Sequence, residues 1–208
     1  MRAKSFLAIA TFILVLSGSI SCNSGASVNN NELAVLETNY GRIIIEFFPQ
    51  DAPRHVARFK ELVRTGFYDG VRFHRLIKNK GGRTIGAQAG DPSTKNSDKS
   101  AWGAGDPGLS PIVAETTSKL KNQRGMVSAA RKPSDRDSFT CQFFILGAAE
   151  PVLDGEHTVF GRVIEGMNVV DTMVAAPTFR GTEQPLDPVV LSKAYLIAKE
   201  DLKTLDHP

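Results

Sequence analysis

Cysteine is almost absent: the chain holds Cys22 and Cys141 and no third. Two cysteines build no disulfide framework, so packing must stabilise this protein. Tryptophan occurs once, at 102, and the histidines at 55, 74, 157 and 207 lack metal-ligand spacing, so no metal site is expected. No sign of charge dominates. The formal net charge is +3, and Arg2 and Lys4 in the leading segment supply two of those charges. A nearly neutral surface gives nucleic acid no electrostatic footprint, and no nucleic-acid partner is expected. No serine sits in a nucleophile elbow, and Cys141 lies in an apolar stretch, the setting of an inert core thiol. Gly103-Ala104-Gly105-Asp106-Pro107-Gly108 matches a dinucleotide fingerprint in letters, but it follows a polar loop, and Pro107 and Pro111 would break the helix required. Gly81-Gly82-Arg83-Thr84 lacks the lysine of a phosphate loop. Covalent, metal and cofactor chemistry are left without support, and no cofactor is expected.

Long hydrophobic runs are also missing beyond residues 6–16, and that run is too short to span a bilayer. It follows basic Arg2 and Lys4 and leads through small residues 17–21 to Cys22, the order of a secretory signal. The placement of Cys22 resembles a bacterial lipoprotein signal, although Ser19 stands where such signals usually carry leucine. That resemblance implies cleavage after residue 21 and a lipid on Cys22. The protein would then be exported to the cell envelope of a bacterium and anchored in a membrane; simple secretion is the alternative. Residues 22–31, with asparagine at 29, 30 and 31, are small and polar and read as a tether. A single domain is expected over 32–200, with a short tail at 201–208.

Within the domain, apolar β-branched runs at 33–38 and 42–48 flank Asn39-Tyr40-Gly41, a hairpin pattern. Asp51 and Pro53 suit a helix start, and Val56, Phe59, Leu62 and Val63 recur at helical spacing. Further strands are expected at 71–77, 125–130, 141–146, 158–164 and 189–197, and a second helix at 166–175. Residues 91–109 read as a long surface loop containing Trp102, which is no candidate for a site. Many short strands with two helices and no βαβ alternation suggest a closed antiparallel barrel plugged by helices. Alternating Ile43, Ile45 and Phe47 fit an interior filled by side chains rather than a ligand cavity.

Three separated segments carry the function. The first is Tyr68-Asp69-Gly70-Val71-Arg72-Phe73-His74-Arg75, followed by Gln88-Ala89-Gly90-Asp91. The second is Gly125-Met126-Val127-Ser128-Ala129-Ala130-Arg131, then Cys141-Gln142-Phe143-Phe144. The third is Leu153-Asp154-Gly155-Glu156-His157-Thr158-Val159-Phe160-Gly161. Each alone is weak; together, in this order, they resemble the cyclophilins over residues 33–197. The resemblance implies an all-β fold, a closed eight-stranded antiparallel barrel with two capping helices and a substrate groove on its outer face. The implied activity is peptidyl-prolyl cis-trans isomerisation, assisting the folding of exported, proline-containing polypeptides; the sequence is silent on oligomeric state, and a monomer is the default expectation. A non-catalytic proline-peptide-binding chaperone is the alternative.

By the same resemblance Arg75 is the catalytic arginine and Gln88 the glutamine beside it. Gln142 is a second groove glutamine, and Phe144 floors the proline pocket. Leu153 and His157 wall that pocket, Ile85 replaces a pocket phenylalanine, and the backbone of Ala130 and Arg131 holds the peptide. His74, one residue from Arg75, faces the other side of the strand and reads as structural. The loop after Ile77 is longer than the family's usual one. Gly86 replaces a common methionine, which would leave the pocket roomier. Val152 replaces an aromatic that contacts cyclosporin, which implies weak binding of that drug. These residue types suit the reaction. No bond is made when an X–Pro amide rotates, so no nucleophile is needed. The pyramidal prolyl nitrogen of the twisted state regains a lone pair, which a permanently charged guanidinium can meet with an N–H.

Overall fold

The computed structural model describes residues 30–106, 108–117 and 119–205. The expected signal segment and Cys22 lie outside these residues. Nine strands form one antiparallel sheet: β1 (Glu32–Thr38), β2 (Gly41–Phe47), β3 (Val71–Phe73), β4 (Arg75–Lys78), β5 (Thr84–Ala89), β6 (Met126–Ala129), β7 (Phe143–Leu146), β8 (Val159–Glu165) and β9 (Val189–Ala198). Their order is β3-β9-β1-β2-β8-β6-β7-β5-β4. The outermost strands, β3 and β4, are consecutive in the chain with only His74 between them, so chain continuity closes the barrel. Residues 71–77, expected as one strand, are therefore divided. Val71–Phe73 pairs with β9, and the run then changes partners at His74, whose N–H donates to Gln88 O on β5. Counting β3 and β4 as one run gives the eight strands expected.

The strand at Thr84–Ala89 is not expected from the sequence, because Gly86, Gln88 and the two alanines Ala87 and Ala89 carry little β signal. Its partners on both sides create it. Inside the barrel, Ile43, Ile45, Phe47, Ala87, Val127, Phe143, Ile145 and Phe160 meet the two helices in one core. The first helix, α1 (Pro53–Arg64), buries Val56, Phe59, Leu62 and Val63 as its spacing predicts. Phe59 is its centre, with the rings of Phe47, Tyr68, Phe143 and Phe160 at 5.1–5.7 Å. The second, α2 (Met167–Ala175), buries Val169, Val170 and Met173. On the outer face, Leu202 and Leu205, in and after the 3-10 turn Lys199–Thr204, pack with Leu33, Val35 and Ile44.

Asp51 does not cap α1. The cap position is Ala52, and the first-turn N–H groups of Arg54 and His55 donate instead to the carboxylate of Glu115, from the long loop, at 3.0–3.1 Å. The same carboxylate accepts from His55 Nδ1 at 2.7 Å, and His55 is buried. Burial works to raise the Glu115 pKa, but the hydrogen bonds from His55 and Arg54 outweigh it, and the carboxyl lies below its ordinary value. Burial lowers the His55 imidazole, with Glu115 opposing. Both groups take up protons more readily when unfolded, so stability rises with pH through their ordinary ranges. Glu115→Ala is expected to cost about 2 kcal/mol at pH 7, combining a lost cap with an unpartnered buried donor. Thermal melts from pH 7 down into the acid range, past the ordinary glutamate range, check this. The parent should weaken on acidification, and the deficit of the variant should narrow as the pH falls below that ordinary range toward the parent's own lowered carboxyl.

Candidate active site

Strand register builds the site. Across β4, β5 and β7, Arg75 pairs with Gln88 and Gln88 with Phe144. Neighbouring residues alternate faces, so Leu76, Ala87, Ala89, Phe143 and Ile145 fill the core and this row faces outward. Ile85 joins it through an irregularity. Ile77 pairs with Gly86 but Lys78 with Thr84, which leaves Ile85 as a bulged residue turned out of the alternation. It packs with Phe144 and Leu146 beside Ala130 and Leu153. Gly86 does not enlarge this pocket. A Cβ there would lie 2.8 Å from the carbonyl oxygen of Ile145, so the close approach of β7 requires glycine, contrary to the expectation of a roomier site.

Two cavities meet on this row. The smaller, about 460 Å³, has Phe144, Ile85, Leu153, Val152 and His157 around it. His157 stands edge-on to the Phe144 ring at 5.2 Å and is anchored through Nδ1, 2.9 Å from Ala129 O. A carbonyl only accepts, so Nδ1 carries the hydrogen; burial holds the imidazole below its ordinary pKa, with the Ala129 bond opposing. The longer loop after Ile77 forms a turn in which Asn79 Oδ1 accepts from Gly81 and Arg83 N–H groups, and it supplies one wall. The larger cavity, about 860 Å³, runs past Gln142, Trp102, Gly103 and Glu183. Arg75, Gln88, Ala130 and Arg131 border both, which puts Arg75 at the junction.

A chain of hydrogen bonds crosses the groove. Arg75 Nη1 donates to Gln88 Oε1 at 3.2 Å, and Gln88 Nε2 donates to Gln142 Oε1 at 2.8 Å. Gln142 Nε2 then donates to Gly103 O at 3.0 Å. Both glutamines are buried and amide-oriented by these bonds. Beneath them, fully buried Asp91 accepts from the N–H groups of Ser93, Gly103 and Gly105, fixing the loop to the barrel. Arg131 turns its side chain away, donating to Glu156 Oε2 and to the carbonyls of Glu156, Lys132 and Pro133. Its position suits a backbone role. Ala130 N–H is already given to Gln142 O.

All nine groove residues expected from the sequence, namely Arg75, Ile85, Gln88, Ala130, Arg131, Gln142, Phe144, Leu153 and His157, border these two cavities. Trp102 corrects the expectation: it lines the larger cavity, with the Arg72 and Lys99 cations 5.5 and 5.6 Å from its ring. Glu183 is a further addition: it lies in a loop whose approach to the groove depends on long-range contacts, and no local pattern marks it. Asp91 stands inside the Gln88–Asp91 motif, and the structure adds its role of fixing the loop. Cys141 is buried with its thiol pushed up by burial, as expected; His74 is also buried, but it borders the larger cavity, where the sequence placed it on the opposite face. No group of three or more metal-ligating residues occurs among the described residues. No helix among them is long and apolar enough to cross a membrane.

Residues 33–196 match the family described as cyclophilin type peptidyl-prolyl cis-trans isomerase/CLD. A probable peptidyl-prolyl cis-trans isomerase of Brucella abortus is 37% identical over 172 residues, covering 81% of this chain and 83% of its own. A peptidyl-prolyl cis-trans isomerase of Helicobacter pylori is 38% identical over 140 residues, covering 66% and 77%. The crystal structure of a Cryptosporidium parvum cyclophilin-type isomerase, determined in the presence of the dipeptide Ala-Pro, superposes with a TM-score of 0.68 at 27% identity, covering 80% of this chain and 99% of that one. Barrel, motifs and relatives agree, and this chain belongs to the cyclophilin family of peptidyl-prolyl cis-trans isomerases.

Proposed function

We propose that this isomerase works on exported polypeptides in a bacterial cell envelope, as a monomer held to a membrane by a lipid on Cys22. Its chemistry takes place where the two cavities meet. The observation that carries the site is the Arg75–Gln88–Phe144 row, which sets a charged donor beside an apolar pocket. A proline ring held over Phe144 by Ile85, Leu153 and His157 would leave its imide bond facing the guanidinium. The residue before the proline rotates while the ring stays fixed. As the amide twists, its nitrogen becomes a hydrogen-bond acceptor, and an N–H of Arg75 meets it. A planar amide offers no such lone pair, so the interaction favours the twisted state over both ground states. Gln88 holds the arginine in place and is itself held by Gln142. A protease-coupled proline assay tests the activity; a protein that binds proline peptides without turnover would be the scaffold alternative.

The envelope assignment rests on residues 1–22 and has its own test. Cys22→Ser should move the protein from the membrane fraction to the soluble fraction with its turnover unchanged. One acyl chain binds only marginally, whereas the several chains of a lipoprotein hold firmly. Metabolic labelling with a fatty acid should mark the parent and spare the variant. Unlabelled parent protein would overturn the anchor and leave a soluble exported enzyme.

A further inference from the structure

The loop between α2 and β9 lies along the open edge of β4. An edge strand presents unpaired N–H groups, here those of Leu76 and Lys78, and one residue answers both. Glu183 O accepts from Leu76 N–H at 2.6 Å, and Glu183 Oε1 accepts from Lys78 N–H at 2.7 Å. The loop is tied down further by Lys78 Nζ, which donates to Thr178 Oγ1 and Thr182 O at 3.0 Å each. The second carboxylate oxygen, Oε2, is left for the groove, where Arg75 Nε donates to it at 2.5 Å. The carboxylate therefore grips the arginine with one oxygen while its other oxygen is fixed to the backbone three residues along the same strand.

We propose that Glu183 is the positioning residue for Arg75, a role that rests on the assignment of Arg75 as the catalytic group. Arg75 is 47% exposed, and a long side chain at that exposure has many rotamers. A guanidinium is planar, so hydrogen bonds to two of its nitrogens determine its plane. Glu183 takes Nε, and Gln88 takes Nη1. Among the described residues no acceptor takes Nη2, and its N–H groups are what remains for a twisting imide. Gln88 alone would leave the plane free to swing about one bond. The carboxylate also carries a cost, since it lowers the field the cation presents to substrate. At this exposure water already screens much of that field, and orientation outweighs it.

The test is a double-mutant cycle on the full protein, with isomerase kinetics and melting temperature read together. Glu183→Ala should lower kcat about tenfold with KM within about twofold, because orientation matters to the twisted state rather than to ground-state binding. Glu183→Gln, which keeps an oxygen for Lys78 N–H but loses the charge, should fall between parent and Glu183→Ala. Placed in an Arg75→Ala background, neither substitution should lower the residual rate further. The Arg75 Nε–H signal in a nitrogen-15 spectrum should shift in both single variants. Full turnover by Glu183→Ala, or an equal loss with and without Arg75, would overturn the positioning role, the second outcome marking Glu183 as a loop anchor only. Should Arg75→Ala itself keep parental turnover, the catalytic assignment fails first, and the cycle separates the two failures.

Discussion

Replacing Arg75 by alanine is expected to lower isomerase turnover by at least tenfold while the melting temperature stays close to that of the parent. The two halves of that result have separate causes. A hydrogen bond from a charged donor is worth about 1.5–3 kcal/mol, and each 1.36 kcal/mol of preferential stabilisation is a factor of about ten in rate. Losing such a bond only in the twisted state therefore costs roughly ten- to a hundredfold. Stability is spared because the side chain is half exposed and stands outside the core clusters. Its ion pair with Glu183 is solvent-exposed on the Arg75 side, where such pairs contribute little. The protease-coupled assay and a thermal melt on the same samples check both halves. Parental turnover in the variant would remove Arg75 from the chemistry, and a large drop in melting temperature would mean that lost activity reports unfolding.

Phe144→Ala should damage both quantities. Phe144 is 2% exposed, packed with Ile85 and Leu146 and faced by the edge of His157. Truncating a buried phenylalanine costs about 3–5 kcal/mol. The low end is expected here, since the cluster lies on the outer face and opens into the pocket, where water can enter. Activity should fall further than stability explains, because the floor against which a proline ring is held has gone. Phe143→Ala provides the contrast. Its ring points inward to Phe59, Tyr68 and Phe73, so it should destabilise the barrel more and leave the surviving folded fraction active. Denaturant melts with turnover normalised to folded protein distinguish them. Equal specific activities for the two variants would show that the proline pocket lies elsewhere.

Most of the barrel was legible because its strands are written in local alternation. In β2, Ile43, Ile45 and Phe47 fill the barrel while Ile44 turns to the outer cluster, as a period of two demands. The helix α1 was equally plain from Val56, Phe59, Leu62 and Val63. Where local signal was weak, the reading missed. Strand β5 contains Gly86 and Gln88 and is a strand because β4 and β7 pair with it on either side. The start of α1 offered Asp51 as a cap, yet Glu115 does that work from sixty residues away, and separation in sequence conceals such a partner.

The site divides along the same line. Sequence alone pointed to most of the residues proposed for it, since Arg75, Gln88, Gln142, Phe144 and His157 stand inside motifs that jointly specify a family. It also determined the kind of chemistry, because a reaction that only rotates a bond needs donors and an apolar seat and no nucleophile. Tertiary structure decided the rest. Only the register of β4, β5 and β7 shows Arg75, Gln88 and Phe144 as one row, and only the bulge at Ile85 turns that side chain into the pocket. Only the fold brings Trp102 and Glu183 to one cavity from loops some eighty residues apart. The physical reason is that alternation and helical period act between near neighbours, whereas an open strand edge and a half-exposed cation accept partners from any part of the chain that packing brings within reach.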